Sequence, residues 1–248
     1  METLLALVAG GFIGATLGLV GAGGAMLAVP ILIYGFGFAP KEATTAAIAV
    51  VFLAALSGVI PKARKKQILY RDALIIWSFG LATNIGFSSI VSQIPDVVIT
   101  AGFAAILSLA GVSMLRPPKL DQHSRMPFSI LIVMSLLIGS ITGLFGIGGG
   151  FIAIPVLVLY FGTPQIIAAG TSLLIISINS LTALLGRSSQ WSDVQWHIPI
   201  LMGIAAVVVA QIASHLAHKT SPRLLKQLFA YLLFVISALT LIETLIKL

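Results

Sequence analysis

Ten apolar runs joined by short loops fill this sequence, and that pattern leaves few folds open. In the first half they cover about 3–20, 25–38, 43–60, 73–91 and 97–115. In the second half they cover about 128–145, 151–162, 167–186, 198–217 and 225–246. A helix needs roughly 20 apolar residues to cross a bilayer, so the runs at 25–38 and 151–162 are short. These two are expected to be half-helices or re-entrant pieces, with about eight to ten full crossings overall. Charged residues make up only 8% of the chain, against roughly 25% in a soluble domain. So few cannot wet the surface of a soluble fold. The chain reads as an all-α polytopic protein of the cell (inner) membrane, with the lipid bilayer as a partner. The start, Met1-Glu2-Thr3-Leu4-Leu5, has no basic region and reads as a first helix rather than a cleaved signal.

Two stretches repeat. Gly21-Ala22-Gly23-Gly24 runs on to Pro30, and Gly146-Ile147-Gly148-Gly149-Gly150 runs on to Pro155. Glycine clusters make poor helix interior because ordering them costs the most backbone entropy. Irregular backbone at membrane depth survives only inside protein or beside a wet cavity. A break present in both halves points to a binding site built from broken helices. The competing reading is that the glycines merely allow close helix packing.

The two halves align with an offset of 125 (155 − 30). Leu17-Gly18-Leu19-Val20-Gly21 answers Thr142-Gly143-Leu144-Phe145-Gly146, Pro40 answers Pro164, and Thr45-Ala46 answers Thr171-Ser172. Residues 1–115 and 128–248 are therefore read as two transmembrane repeats, with 116–127 as a cytoplasmic linker. The run Lys62-Ala63-Arg64-Lys65-Lys66 marks the cytoplasmic side as a topology signal. The matching loop of the second half holds only Arg187 and Asp193, while the next holds Lys219, Arg223 and Lys226. This switch of bias, with five runs per half, makes the repeats inverted and puts both termini outside. If each short run were only the tail of one broken helix, the repeats would be parallel.

Backbone N–H groups after a glycine turn, aimed by the positive end of the next helix, suit an anion. No Gly-Lys-Ser/Thr follows either cluster, so nucleotide binding has no support. Thr44-Thr45 and Thr171-Ser172 open the third run of each half, and their hydroxyls can donate to an oxyanion or simply cap the helix. Asn179 lies one to two turns further on and either lines the same cavity or joins helices, as Asn84 and Gln211 can. None of the seven acidic residues lies in the middle of an apolar run, which argues against a carboxylate proton relay or an acidic cation channel. Arg187 reads chiefly as an interfacial, snorkelling residue, and secondarily as a guide for an anion. Trp191 and Trp196 fit an interface belt. His215 and His218 lack the further ligands a metal needs, and the absence of cysteine excludes thiolate sites. No metal, no cofactor, no nucleic-acid partner and no enzymatic nucleophile is indicated; the net charge of +7 sits in the loops.

In Gly18-Leu19-Val20-Gly21-Ala22-Gly23-Gly24 through Pro30, and in Gly143 to Gly150 through Pro155, the chain resembles the TauE/SafE family of sulfite and organosulfonate exporters. Ala168-Ala169-Gly170-Thr171-Ser172-Leu173 is similar to a second signature of that family. The resemblance implies secondary transport of a small sulfur-containing anion such as sulfite, thiosulfate or a sulfonate. The candidate substrate-binding residues are Gly21, Gly23, Gly24, Thr44, Thr45, Gly146, Gly148, Gly149, Gly150, Thr171, Ser172 and Asn179. An anion channel on the same scaffold and a membrane subunit without transport activity are the rival readings.

Overall fold

The computed structural model describes residues 2–20, 24–115, 128–159, 162–216 and 222–246. Ten α-helices account for most of them: α1 (Glu2–Val20), α2 (Ala25–Pro30), α3 (Pro40–Arg64), α4 (Tyr70–Ile90), α5 (Asp96–Leu115), α6 (Phe128–Phe145), α7 (Gly150–Leu159), α8 (Gln165–Gly186), α9 (His197–Leu216) and α10 (Pro222–Ile246). No strand occurs among the described residues. The all-α membrane class follows, and each helix falls on one apolar run, the run at 25–38 being shared by α2 and a π-helical turn. Among the described residues, six helices are long and apolar enough to cross a bilayer: α1, α3, α4, α6, α8 and α9. The crossings expected from sequence also include α5 and α10, which are helices of 20 and 25 residues. The expected linker, 116–127, lies outside the described residues.

The short helices end where the sequence dictates. Pro30 lacks an N–H and crowds the preceding turn, and the chain widens into a π-helical turn, Ile31–Gly35. Gly37 then takes φ +71 and the Phe38 N–H bonds back to the Leu32 carbonyl at 3.1 Å. The second half repeats this: Gly162 takes φ +60 and the Thr163 N–H bonds to the Leu157 carbonyl at 3.1 Å. A left-handed glycine followed by a bond back into the last turn stops the helix as a Schellman motif does, here one residue wider than that motif's five-position span.

Packing also pairs the halves. α1 lies along α9 and α6 along α4, while α3 meets α8 and α5 meets α10. The first contact is close because a Cβ on Gly14 would strike Ala206, and one on Gly18 would strike Ala210. At the second, Gly139 abuts Gly80 and Gly143 abuts Asn84. The glycines of α6 thus answer those of α1 at the same offset (139 − 14 = 125).

Direction is fixed by the contacts themselves. Thr44 meets Arg187, Gly58 meets Leu173 and Lys62 meets Gly170, so α3 and α8 run antiparallel. Gly111 meets Phe234 and Ser108 meets Ser237, so α5 and α10 are antiparallel too. By contrast α3 and α9 run parallel, with Leu53 against Gly203 and Ser57 bonded to the Val207 carbonyl.

Candidate substrate-binding site

The second glycine break is fully built. α6 stops at Phe145 because Gly146, Gly148 and Gly149 take φ +70, +73 and +65, which strain any side chain. α7 restarts at Gly150, and its first turn has N–H groups without helical acceptors. All five residues from Gly146 to Gly150 are buried. A Cβ on Gly146 would meet the Thr44 carbonyl, one on Gly148 would meet Ile176 and Ser180, and one on Gly150 would meet Ile176 and Ser172. The Ser172 hydroxyl donates to the Gly150 carbonyl at 3.0 Å. The break is therefore wedged between the first turns of α3 and the middle of α8.

Of the first break, Gly21 and Gly23 lie outside the described residues. Gly24 is buried against Ile13, Thr16 and Leu17 of α1, and α2 behind it is entirely buried. Ala25 and Met26 after this break and Ile147 in the second belong to one apolar core.

The remaining candidates separate. Thr44 and Thr45 sit in the first turns of α3, each donating to the Lys41 carbonyl, at 2.9 and 3.0 Å. Thr171 lies near the opposite end of the α3–α8 pair, where it accepts from the Leu69 N–H at 3.0 Å and donates to the Ile167 carbonyl. Thr45 and Thr171 thus share no cluster. Asn179 lies between them. Asn84 donates its side-chain amide to the Asn179 backbone and side-chain oxygens, at 2.9 and 3.1 Å, which joins α4 to α8. Among the described residues, the Asn179 side-chain N–H group and the neighbouring Ser180 hydroxyl are buried with no partner.

Arg187 corrects the sequence reading. It does not snorkel; its side chain is 0% exposed. Nη1 donates to the Thr44 and Thr45 hydroxyls at 2.8 and 3.0 Å, and Nη2 donates to the Gly143 and Leu144 carbonyls at 2.5 and 2.8 Å. The glycine break leaves the last carbonyls of α6 without helical partners, and its negative dipole end draws a cation. The short loop then folds the arginine inward. Gln190 follows in a 3-10 turn, Ser188–Asp193, and its side-chain oxygen accepts from Thr45 at 3.4 Å.

Lys62 also departs from expectation. Within the basic run, Arg64, Lys65 and Lys66 are exposed, but Lys62 is buried in the last turn of α3. The sequence held the signal for this pair: 187 − 62 is 125, the repeat offset. Trp77, Trp191 and Trp196 donate to the Thr182 hydroxyl and to the Leu184 and Trp191 carbonyls, respectively. His218 and Lys219 fall outside the described residues.

Comparison with known proteins agrees over almost the whole chain. Residues 6–240 match the family described as sulfite exporter TauE/SafE. A probable membrane transporter protein of Xylella fastidiosa (strain 9a5c) is 30% identical over 238 residues, covering 92% of this chain and 90% of that one. One from Methanocaldococcus jannaschii is 26% identical over 243 residues, covering 91% and 90%. A third, from Bacillus subtilis, is 27% identical over 245 residues, covering 90% and 94%.

Proposed function

This chain belongs to the sulfite exporter TauE/SafE family, a family of multi-pass membrane transporters, and on that premise we propose that it carries a small sulfur-containing anion by secondary transport across the cell membrane. Sulfite, thiosulfate and organosulfonates share the needed chemistry: one sulfur centre with several acceptor oxygens. The anion is held beside the glycine breaks, by backbone N–H groups and by the hydroxyls of Thr45 and Ser172, while Thr171 stands at the opposite end of the path. Asn179 lines the same space. The two halves are inverted repeats, and rocking one against the other opens the site to each side in turn. The basic loop after α3 faces the cytoplasm, which puts Arg187 at the outer end.

The observation that carries this reading is the polar demand beside the second break. The Asn179 side-chain N–H group and the Ser180 hydroxyl are buried and unpaired on α8, and Ser180 lies against Gly148 of the left-handed glycine loop. Such groups cost free energy unless something accepts from them. The antiparallel course of α3 and α8 supports the inverted relation.

The test is uptake of labelled sulfite, thiosulfate and a simple aminosulfonate into proteoliposomes. Saturable flux that is accelerated by unlabelled anion on the far side supports a carrier. Flux that rises linearly with concentration and shows no such acceleration would indicate a channel instead.

A further inference from the structure

Arg187 is a full positive charge inside the protein, yet every acceptor it holds is neutral. Among the described residues no carboxylate reaches it; Asp193, the acidic residue nearest in sequence, is exposed and bonds only its neighbour Ser192. A buried cation ordinarily demands an anion. Four of the five guanidinium N–H groups are occupied, and the fifth, on Nε, is buried and unpaired. The side-chain N–H group of Gln190, whose oxygen accepts from Thr45, is in the same condition. Nε and Nη2 together form the side edge of the guanidinium, the edge that takes two oxygens of one oxyanion bidentately.

We propose that Arg187 is the anion-selecting residue of this transporter: an oxyanion binds across Nε and Nη2, with Gln190 and the Thr44–Thr45 hydroxyls around it. The structure then represents the self-capped state. The Gly143 and Leu144 carbonyls occupy Nη2 until the substrate displaces them, and that exchange unlatches the end of α6 from α3 and α8. The anion supplies the counter-charge that the chain lacks. This inference rests on the anion-transport reading above and names the residue that makes it selective.

The experiment uses the full-length protein purified in detergent, with thermal stabilisation read against sulfite, thiosulfate, sulfate, an aminosulfonate and chloride. Wild type is expected to be stabilised by at least one oxyanion in preference to chloride. Arg187→Gln should weaken that binding about 100-fold, and Arg187→Lys about 10-fold, because a point charge cannot reproduce the planar fork. Arg187→Lys should also erase the preference for oxyanions over chloride, which a purely structural clamp would leave untouched. A Kd within about twofold of wild type in Arg187→Gln would overturn the inference, as would the absence of stabilisation in wild type. If Arg187→Gln does not yield folded protein, Arg187→Lys decides, and unchanged affinity and ranking in it would overturn the proposal. Flux in proteoliposomes separates the two levels. Unchanged KM in Arg187→Gln sinks the role of Arg187 and leaves transport standing. Arg187-dependent binding with no flux of any sulfur anion sinks the transport reading and leaves the binding site.

Discussion

The two ends of the α3–α8 pair carry the same parts in different states. At one end Arg187 meets Thr44 and Thr45; at the other Lys62 lies beside Gly170 and near Thr171. From residue 44 to residue 62 of α3 is about 27 Å at 1.5 Å per residue, so the two cations stand near opposite faces of the membrane. Arg187 is bound by four acceptors, whereas the Lys62 ammonium makes no hydrogen bond to a described residue. Arginine can bridge three helix ends with one rigid fork, and lysine cannot. The difference shows that repeated segments need not share a single state: one end is latched by its cation, and the other merely shelters one.

The largest expected difference between the ends is in stability. Arg187→Ala leaves the Gly143 and Leu144 carbonyls without their donor, and with about 1–3 kcal/mol for each unsatisfied group the loss should be roughly 2–6 kcal/mol. Lys62→Ala removes mainly the packing of its stem, worth about 1 kcal/mol. Thermal unfolding in detergent compares them, and equal losses would break the asymmetry.

Next come the glycines that answer one another, Gly149 and Gly24. Both are crowded, but only Gly149 has φ +65; Gly24 has φ −61. Alanine should therefore cost about 1–2 kcal/mol more at Gly149, the price of the left-handed backbone. Unfolding of the two variants measures this, and a larger loss at Gly24 would mean that crowding against Thr16 outweighs the backbone term.

Smaller effects belong to the single polar links. Asn84→Ala unties α4 from α8 and should cost about 0.6–1.7 kcal/mol, in the range of polar links between membrane helices. Thr171→Val removes the acceptor of the Leu69 N–H and should cost about 1 kcal/mol without altering oxyanion selectivity, which the opposite end sets. Anion ranking by thermal shift checks that last point.

How much of this was legible in the sequence depended on range. The ten helices were readable because each apolar run is bounded by its own local punctuation: Pro40 starts α3, and the glycines at 146–149 stop α6. Gly146 lies against Thr44 and Gly150 against Ser172, contacts between runs distant in sequence that no local pattern could show. Arg187 was misread because an arginine at a helix end ordinarily snorkels. Its burial depends on carbonyls more than 40 residues upstream, freed by a break whose consequence is not local. Lys62 was hidden inside a run of charges that is otherwise exposed. Only the repeat offset, applied to single residues rather than to motifs, would have linked the two.

The most direct measurement exploits the absence of native cysteine. Thr45→Cys and Thr171→Cys, made separately, place one thiol at each end, and a membrane-impermeant thiol reagent is applied from each side of oriented vesicles. Two inverted repeats with alternating access are expected to label Thr45→Cys from one side only and Thr171→Cys from the other. A transported anion should raise labelling at one end as it lowers labelling at the other. Labelling of both positions from the same side, or reactivities that rise and fall together, would contradict the account.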